Sequence, residues 1–200
     1  MAGVSILADA IVARITAEGA NCVQMTESPG ALATDQGAEA ALKRVVEALG
    51  VLDVLITAFY TRVDRPFLDI GEEWQQVLDE NLTCAFLVAR EAARCMTGAG
   101  GVIVHVGSDI AARPGPGTAS FAAAKAGVQL MTMSMALDLA PLGIRVCSVA
   151  APAERGTSLG CFSPEDEDIA SAVAFCASDS ASYVLGSNLS LTGPLPFRGA

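Results

Sequence analysis

The chain is poor in positive charge, in histidine, in aromatic rings and in long apolar runs, and each shortage removes a class of function. Twelve Lys and Arg face 22 Asp and Glu, a net charge of -10. Binding to a phosphate backbone depends on basic side chains that release counterions, so nucleic acid and anionic membrane surfaces are excluded as partners. There is one histidine, His105, and the six cysteines (Cys22, Cys84, Cys95, Cys147, Cys161, Cys176) include no C-x-x-C pair. No metal site is expected; the cysteines read as small buried hydrophobes in a reducing, cytoplasmic setting. The opening MAGVSILADAIVARI has no basic region ahead of its apolar residues, and Asp9 and Arg14 interrupt it well short of the ~20 residues that span a bilayer. No export or membrane segment is expected. Aromatics make up only 5% of the chain, with Tyr60 and Tyr183 the sole tyrosines, so few phenols are available for proton transfer.

What is present is apolar: 52% hydrophobic residues in 200, enough for one domain, residues 1–200, with a sizeable core. Ile11 and Ile15 lie one turn apart in an expected helix over residues 8–18, with Gly19 as its cap. NCVQM reads as a short strand and TESPGALATDQG as a turn-rich connection. Helical periodicity resumes over 38–49. The continuous apolar runs LDVLITA, GVIVHVG and IRVCSVAAP then have the character of buried parallel strands. Between the first two lies the strongest helix, EEWQQVLDENLTCAFLVAREAARCM, with Trp74, Val77, Leu78, Leu82, Ala85, Phe86 and Ala89 sharing a face. Strands alternating with helices predict an α/β fold. His105, inside its strand and facing away from Val104 and Val106, reads as a core histidine.

The stretch from Ser108 to Lys125, SDIAARPGPGTASFAAAK, carries the chemistry to be explained. It resembles the active-site segment of the short-chain dehydrogenase/reductase family, in which a serine is followed thirteen residues later by a tyrosine and four further on by a lysine. Ser108 and Lys125 stand in that frame; the tyrosine position holds Phe121. Asn81 falls where the family keeps an asparagine in a local break of its helix. His105 takes a usual asparagine position, and Thr118 or Ser120 is expected to cap the helix that carries Phe121. The tail SPEDEDIASAVAFCASDSASYVLGSNLSLTG, with Tyr183 expected to pack structurally and NLSL as a last strand, is also similar to the family.

The resemblance implies a Rossmann-like three-layer sandwich with a mostly parallel sheet, trimmed at the N-terminal strand region and in the substrate lobe. The family's glycine-rich phosphate turn falls on MAGVSILA, where none of its three glycines is matched; either the first strand is absent or VSIL forms it. A dinucleotide needs close backbone approach there. The small residues that usually end the fourth strand are replaced by Phe59 and Tyr60, rings able to fill the crevice from within. Only AERGTSLGCFS stands where a substrate lobe is usual. Phenylalanine has no proton to give, and loss of a positioned acid/base costs roughly 10²- to 10⁴-fold.

These departures imply a truncated, degenerate member with Ser108, Lys125 and Asn81 as relict site positions, no cofactor, and no metal. It is expected to act as a non-catalytic subunit, forming a homo- or hetero-oligomer through the helices that contain Trp74 and Phe121, where Met133 replaces a basic residue; an active family member is one candidate partner. Two alternatives stay open. One is a cofactor-independent lyase, isomerase or cyclase using Ser108, Asn81 and a desolvated Lys125 as base. The other is an NAD(P)-dependent oxidoreductase with an atypical site. Tyr60, at a strand end, is the candidate substitute acid. Ser108 lacks the elbow and partner base of a nucleophile.

Overall fold

The computed structural model describes residues 6–153 and 165–191. Helix α1, Ile6–Ala17, is followed by an extended segment, a short helix α2, Pro29–Leu32, and α3, Asp35–Leu49. Then come β1, Val54–Thr57; α4, Glu73–Leu78; a π-helical turn, Asp79–Thr83; and α5, Cys84–Met96. Strand β2, Gly101–Ser108, leads through a 3-10 turn, Asp109–Ala111, to α6, Ala119–Leu139. Strand β3, Ile144–Ala151, precedes α7, Asp166–Ala177, and β4, Asn188–Ser190.

The four strands pair in the order β1-β2-β3-β4, all parallel. Alternation within each strand then divides the core. Ile103 and Val146 face α3 and α5 with Leu42, Val88 and Met96, while Val104, Val106, Cys147 and Val149 face α1 and α7 with Ile11 and Val173. These are the layers of the expected Rossmann-like sandwich. Parallel strands buried on both faces need continuous apolar runs, and that is why LDVLITA, GVIVHVG and IRVCSVAAP were readable as strands.

Several local expectations are corrected. NCVQM forms no strand; Cys22 and Val23 lie exposed in extended chain, because no neighbouring strand pairs with that segment. Ile6 and Leu7 of VSIL open α1 instead of a strand, and residues 1–5 lie outside the described residues. So does residue range 154–164, which holds most of AERGTSLGCFS. The turn-rich connection contains a helix because Ser28 caps Pro29–Leu32, its hydroxyl accepting from Ala31 N. Helix α3 starts earlier than residue 38 because the Thr34 hydroxyl accepts from Gly37 N at 3.1 Å. Thr118 occupies the N-cap position of α6, yet its hydroxyl is used in the preceding loop, donating to Gly115 O at 2.7 Å. Tyr183 is fully exposed and packs against nothing.

The α2–α3 corner is tight enough to test. A Cβ built on Gly37 would lie 1.9 Å from the Ala31 carbonyl oxygen, a backbone atom that cannot rotate away. Gly37→Ala should therefore destabilise the fold by about 1–3 kcal/mol, the usual cost of overpacking, whereas the exposed neighbour change Glu39→Ala should leave the urea midpoint nearly unchanged.

Candidate active site

Because the strands are parallel, their C-terminal ends lie along one edge of the sheet, the edge at which open α/β sheets place ligands. Thr57, Ser108 and Ala151 end three of them. Helix α6 leaves from the same edge, and its spacing of four residues stacks Phe121 and Lys125 on one face. Both are buried, at 0% and 2% exposure.

Asn81 arrives from the other side. The π turn inserts an extra residue per turn into the α4–α5 helix, and Asn81, at 1% exposure, uses that break. Its Nδ2 donates to Val77 O at 2.9 Å and Thr61 O at 2.7 Å, while its Oδ1 accepts from Thr61 N at 3.2 Å. The amide therefore engages both backbone groups of Thr61, as a neighbouring strand would. Trp74 and Phe86 are exposed rather than on the buried face expected of them, whereas Val77, Ala85 and Ala89 are buried as expected.

Lys125 lies between two rings, its Nζ 5.4 Å from the Phe121 centroid and 5.8 Å from that of Tyr60. The ammonium donates a short hydrogen bond to the Phe59 carbonyl. Burial lowers the lysine from 10.5 to about 8, the expected direction for a desolvated amine. Phe121 packs with Val77, Ile110 and Ala124, and the Tyr60 ring meets it edge-on at 4.9 Å. Ser108 is buried and its Oγ accepts from Ile110 N at 3.4 Å, capping the 3-10 turn.

The chain after β1 also spans the edge to β3. Tyr60 OH and Arg62 Nη1 both donate to Ala153 O, at 3.2 and 3.0 Å. Asp109 accepts from Ala153 N at 2.7 Å, so both sides of that residue are held. Arg62 is fixed in turn by paired 2.8 Å bonds to the Asp64 carboxylate and lies 5.9 Å from the Phe121 ring. Thr61 Oγ1 donates to Glu80 at 2.8 Å. This latch closes over Lys125 and Phe121. Sequence placed Tyr60 at the strand end but gave no signal for Arg62, Asp109 or Ala153, whose meeting depends on loop paths.

His105 lies in the core as expected, at 0% exposure, but it is not the fully satisfied histidine the sequence suggested, because its Nε2 is buried with no hydrogen-bond partner. Its Nδ1 is 2.7 Å from Thr57 Oγ1 on the adjacent strand, a pair set by the register that places Thr57 opposite His105. Burial, and then the Lys125 charge, push the imidazole down to about 4, so it is neutral near pH 7.

The whole arrangement is a parallel α/β sheet whose strand-end crevice is framed by Ser108, Phe121, Lys125 and Asn81. The short chain dehydrogenase profile matches residues 4–166. Trans-4-hydroxycyclohexanecarboxylate dehydrogenase of Sinomonas cyclohexanicum is 36% identical over 168 residues, 77% of this chain and 64% of that relative. The cis-4-hydroxycyclohexanecarboxylate dehydrogenase of the same organism is 37% identical over 182 residues, 80% of this chain and 72% of the relative. A solved short chain dehydrogenase from Mycobacterium smegmatis superposes with a TM-score of 0.76 at 31% identity, covering 82% of this chain and 68% of the other. The chain belongs to the short chain dehydrogenase family and is a homologue of its oxidoreductases. It spans somewhat under two thirds of the first of these relatives, 64% of its length.

Two buried bases give the fold a defined pH response. For Lys125, about 8 when folded against 10.5 when exposed, the unfolded chain holds more protons between those values, so stability rises with pH across that window. The cost of the buried charge is fully present below pH 8. Lys125→Met should flatten the rise in urea midpoint between pH 8 and 10.5, an effect on the order of a few kcal/mol. For His105 the folded value of about 4 against 6.5 has the same sign, and stability should fall as pH drops from 6.5 to 4; His105→Gln should lessen that fall.

Proposed function

We propose that this chain is a non-catalytic, degenerate member of its family that works as a subunit, associating with a second copy or with a catalytically complete relative. The observation that carries the reading is Phe121, fully buried in the place of the proton donor, with Lys125 committed to the Phe59 carbonyl beside it. A phenyl ring neither donates nor accepts a proton.

The residues present do not fit a nicotinamide dinucleotide. The crevice at the strand ends is crossed by the Tyr60 and Arg62 bonds to Ala153, and the rings of Tyr60 and Phe121 are in contact across it. Opening it would break hydrogen bonds worth roughly 0.5–1.5 kcal/mol each, more for the charged one, and separate an aromatic pair worth a similar amount.

Association is supported by apolar side chains left in water. Phe86 is 43% exposed on α5, and Met133 and Leu137 are 51% and 79% exposed on α6. Between these helices lies a groove of about 250 Å³ whose apolar floor of Phe86, Ala93, Met135, Leu139 and Leu142 is bordered by Arg90, Arg94, Thr97 and Asp138. Exposed apolar side chains beside a groove of this kind support reading these helices as an association surface.

A second reading keeps the pocket chemically active. The buried amine of Lys125, lowered to about 8, has the properties of a general base for a lyase, isomerase or cyclase reaction. Any such turnover should disappear in Lys125→Ala, and activity that survives the change would remove this reading.

Millimolar NAD(H) or NADP(H) should leave the melting temperature unchanged, although a ligand at 100 times its dissociation constant would add about 2.7 kcal/mol. Phe121→Tyr alone should not restore NAD(P)-dependent turnover. A clear thermal shift, or turnover in that variant, would instead identify an oxidoreductase with unusual binding geometry. Light scattering should report a species larger than one chain, alone or with a complete relative; a monomer in both mixtures would overturn the subunit reading.

A further inference from the structure

One edge of the sheet is left open by the strand order. Strand β1 pairs with β2 alone, and among the described residues no strand lies beyond it. The orientation of its backbone follows from the bond that Val102 N donates to Asp53 O at 2.8 Å. In a parallel ladder with Val54 opposite Val102 and Ile56 opposite Val104, that bond turns the N–H and C=O of Leu55 toward β2. The N–H and C=O of Val54 and Ile56 then point away from the sheet. Neither residue makes a backbone hydrogen bond to another described segment on that side.

The edge also lacks the features that usually guard such a strand. Val-Leu-Ile-Thr holds no proline, no lysine and no charge of either sign, and its register with β2 is unbroken by a bulge. Val54 and Ile56 are half-buried, whereas Leu55 and Thr57 are buried. An apolar edge with free backbone groups is a template for a further strand.

The pattern is complementary to its own inverse. With two copies of β1 antiparallel about a two-fold axis through Leu55, Val54 stands opposite the partner's Ile56 and Ile56 opposite the partner's Val54. Both are pairs in which each residue donates its N–H and accepts at its C=O, so every outward backbone group of β1 is used. A two-fold axis through Val54 or Ile56 instead leaves one of these residues facing chain beyond the strand. Side-chain alternation agrees with the Leu55 axis. Ile56, which packs with the α1–α7 cluster, and Val54 on the same face meet the same two β-branched residues of the second copy, a favourable cross-strand match. On the other face Leu55 meets the partner's Leu55.

We propose that β1 is the docking edge for β1 of a second copy, which joins it antiparallel and makes one continuous sheet through two chains. The contact is isologous and closes on itself. It is separate from the exposed faces of α5 and α6 and does not depend on association through them.

The test measures mass by sedimentation for the full chain carrying Leu137→Lys, which charges an α6 position that is 79% exposed and removes association through the helix faces. This variant should still form a dimer that dissociates on dilution, and Ile56→Pro added to it should leave a monomer. The proline removes an outward N–H and sets its ring on the outer edge, where strands accept proline, while the bonds to β2 are kept. A monomeric Leu137→Lys would overturn the proposal and leave the helix-face reading standing; so would a dimer that survives Ile56→Pro. If the proline variant folds poorly, residue-resolved amide exchange on the unaltered chain decides the matter. The Val54 and Ile56 amides should be protected in the associated species and lose that protection on dilution to monomer, whereas Leu55 and Thr57 stay protected in both. Free exchange at Val54 and Ile56 at every concentration, or protection that persists in the monomer, would also overturn it.

Discussion

A buried ammonium must be satisfied where it lies, and in this fold that demand falls on Lys125. Unpaired charge in an apolar interior costs far more than a single hydrogen bond returns. Here the compensation comes from the Phe59 carbonyl and from the faces of Tyr60 and Phe121. Those partners belong to the segment leaving β1 and to α6, so satisfying the lysine also fixes the path of the chain after the first strand. Asn81 fixes the next residue, Thr61, through both its backbone groups. Tyr60 and Arg62 then carry the constraint across to Ala153 beyond β3. One charge thereby organises the whole strand-end edge.

Phe121 is consistent with that organisation. A phenol buried at this depth would need a partner for its hydroxyl. A phenyl ring imposes no such requirement. It contributes apolar burial worth roughly 1.5–3 kcal/mol and offers its face to the ammonium. Groups whose spacing serves proton transfer in an open crevice can, in a closed one, serve as internal fasteners.

Much of this was legible in the sequence because it rests on periodicity and spacing. Continuous apolar runs identified the parallel strands, and the interval from Ser108 to Lys125 located the frame of the site. The break at Asn81 was expected from the family likeness and is present as the π turn. What sequence missed depends on partners distant in the chain. NCVQM has the composition of a strand but no strand beside it to complete its hydrogen bonds. Tyr183 looks like a packing residue yet projects into water. The latch joins residues about ninety positions apart, and no local pattern announces it.

The two faces of the sheet divide the labour. On the α6 side the strands carry a polar row, Thr57 with His105 and Ser148 with Asn188, each pair hydrogen-bonded across neighbouring strands. On the other side Val104, Val106 and Val149 pack against α1 and α7, with Cys147 and Cys176 buried in the same cluster. Of this row His105 Nε2 is buried without a hydrogen-bond partner, so the α6 side holds a polar group whose cost depends closely on its neighbours. The apolar side draws its stability from area and tolerates substitution by shape. A change at Phe121, which lies on the α6 side, therefore leaves the packing of the opposite face untouched.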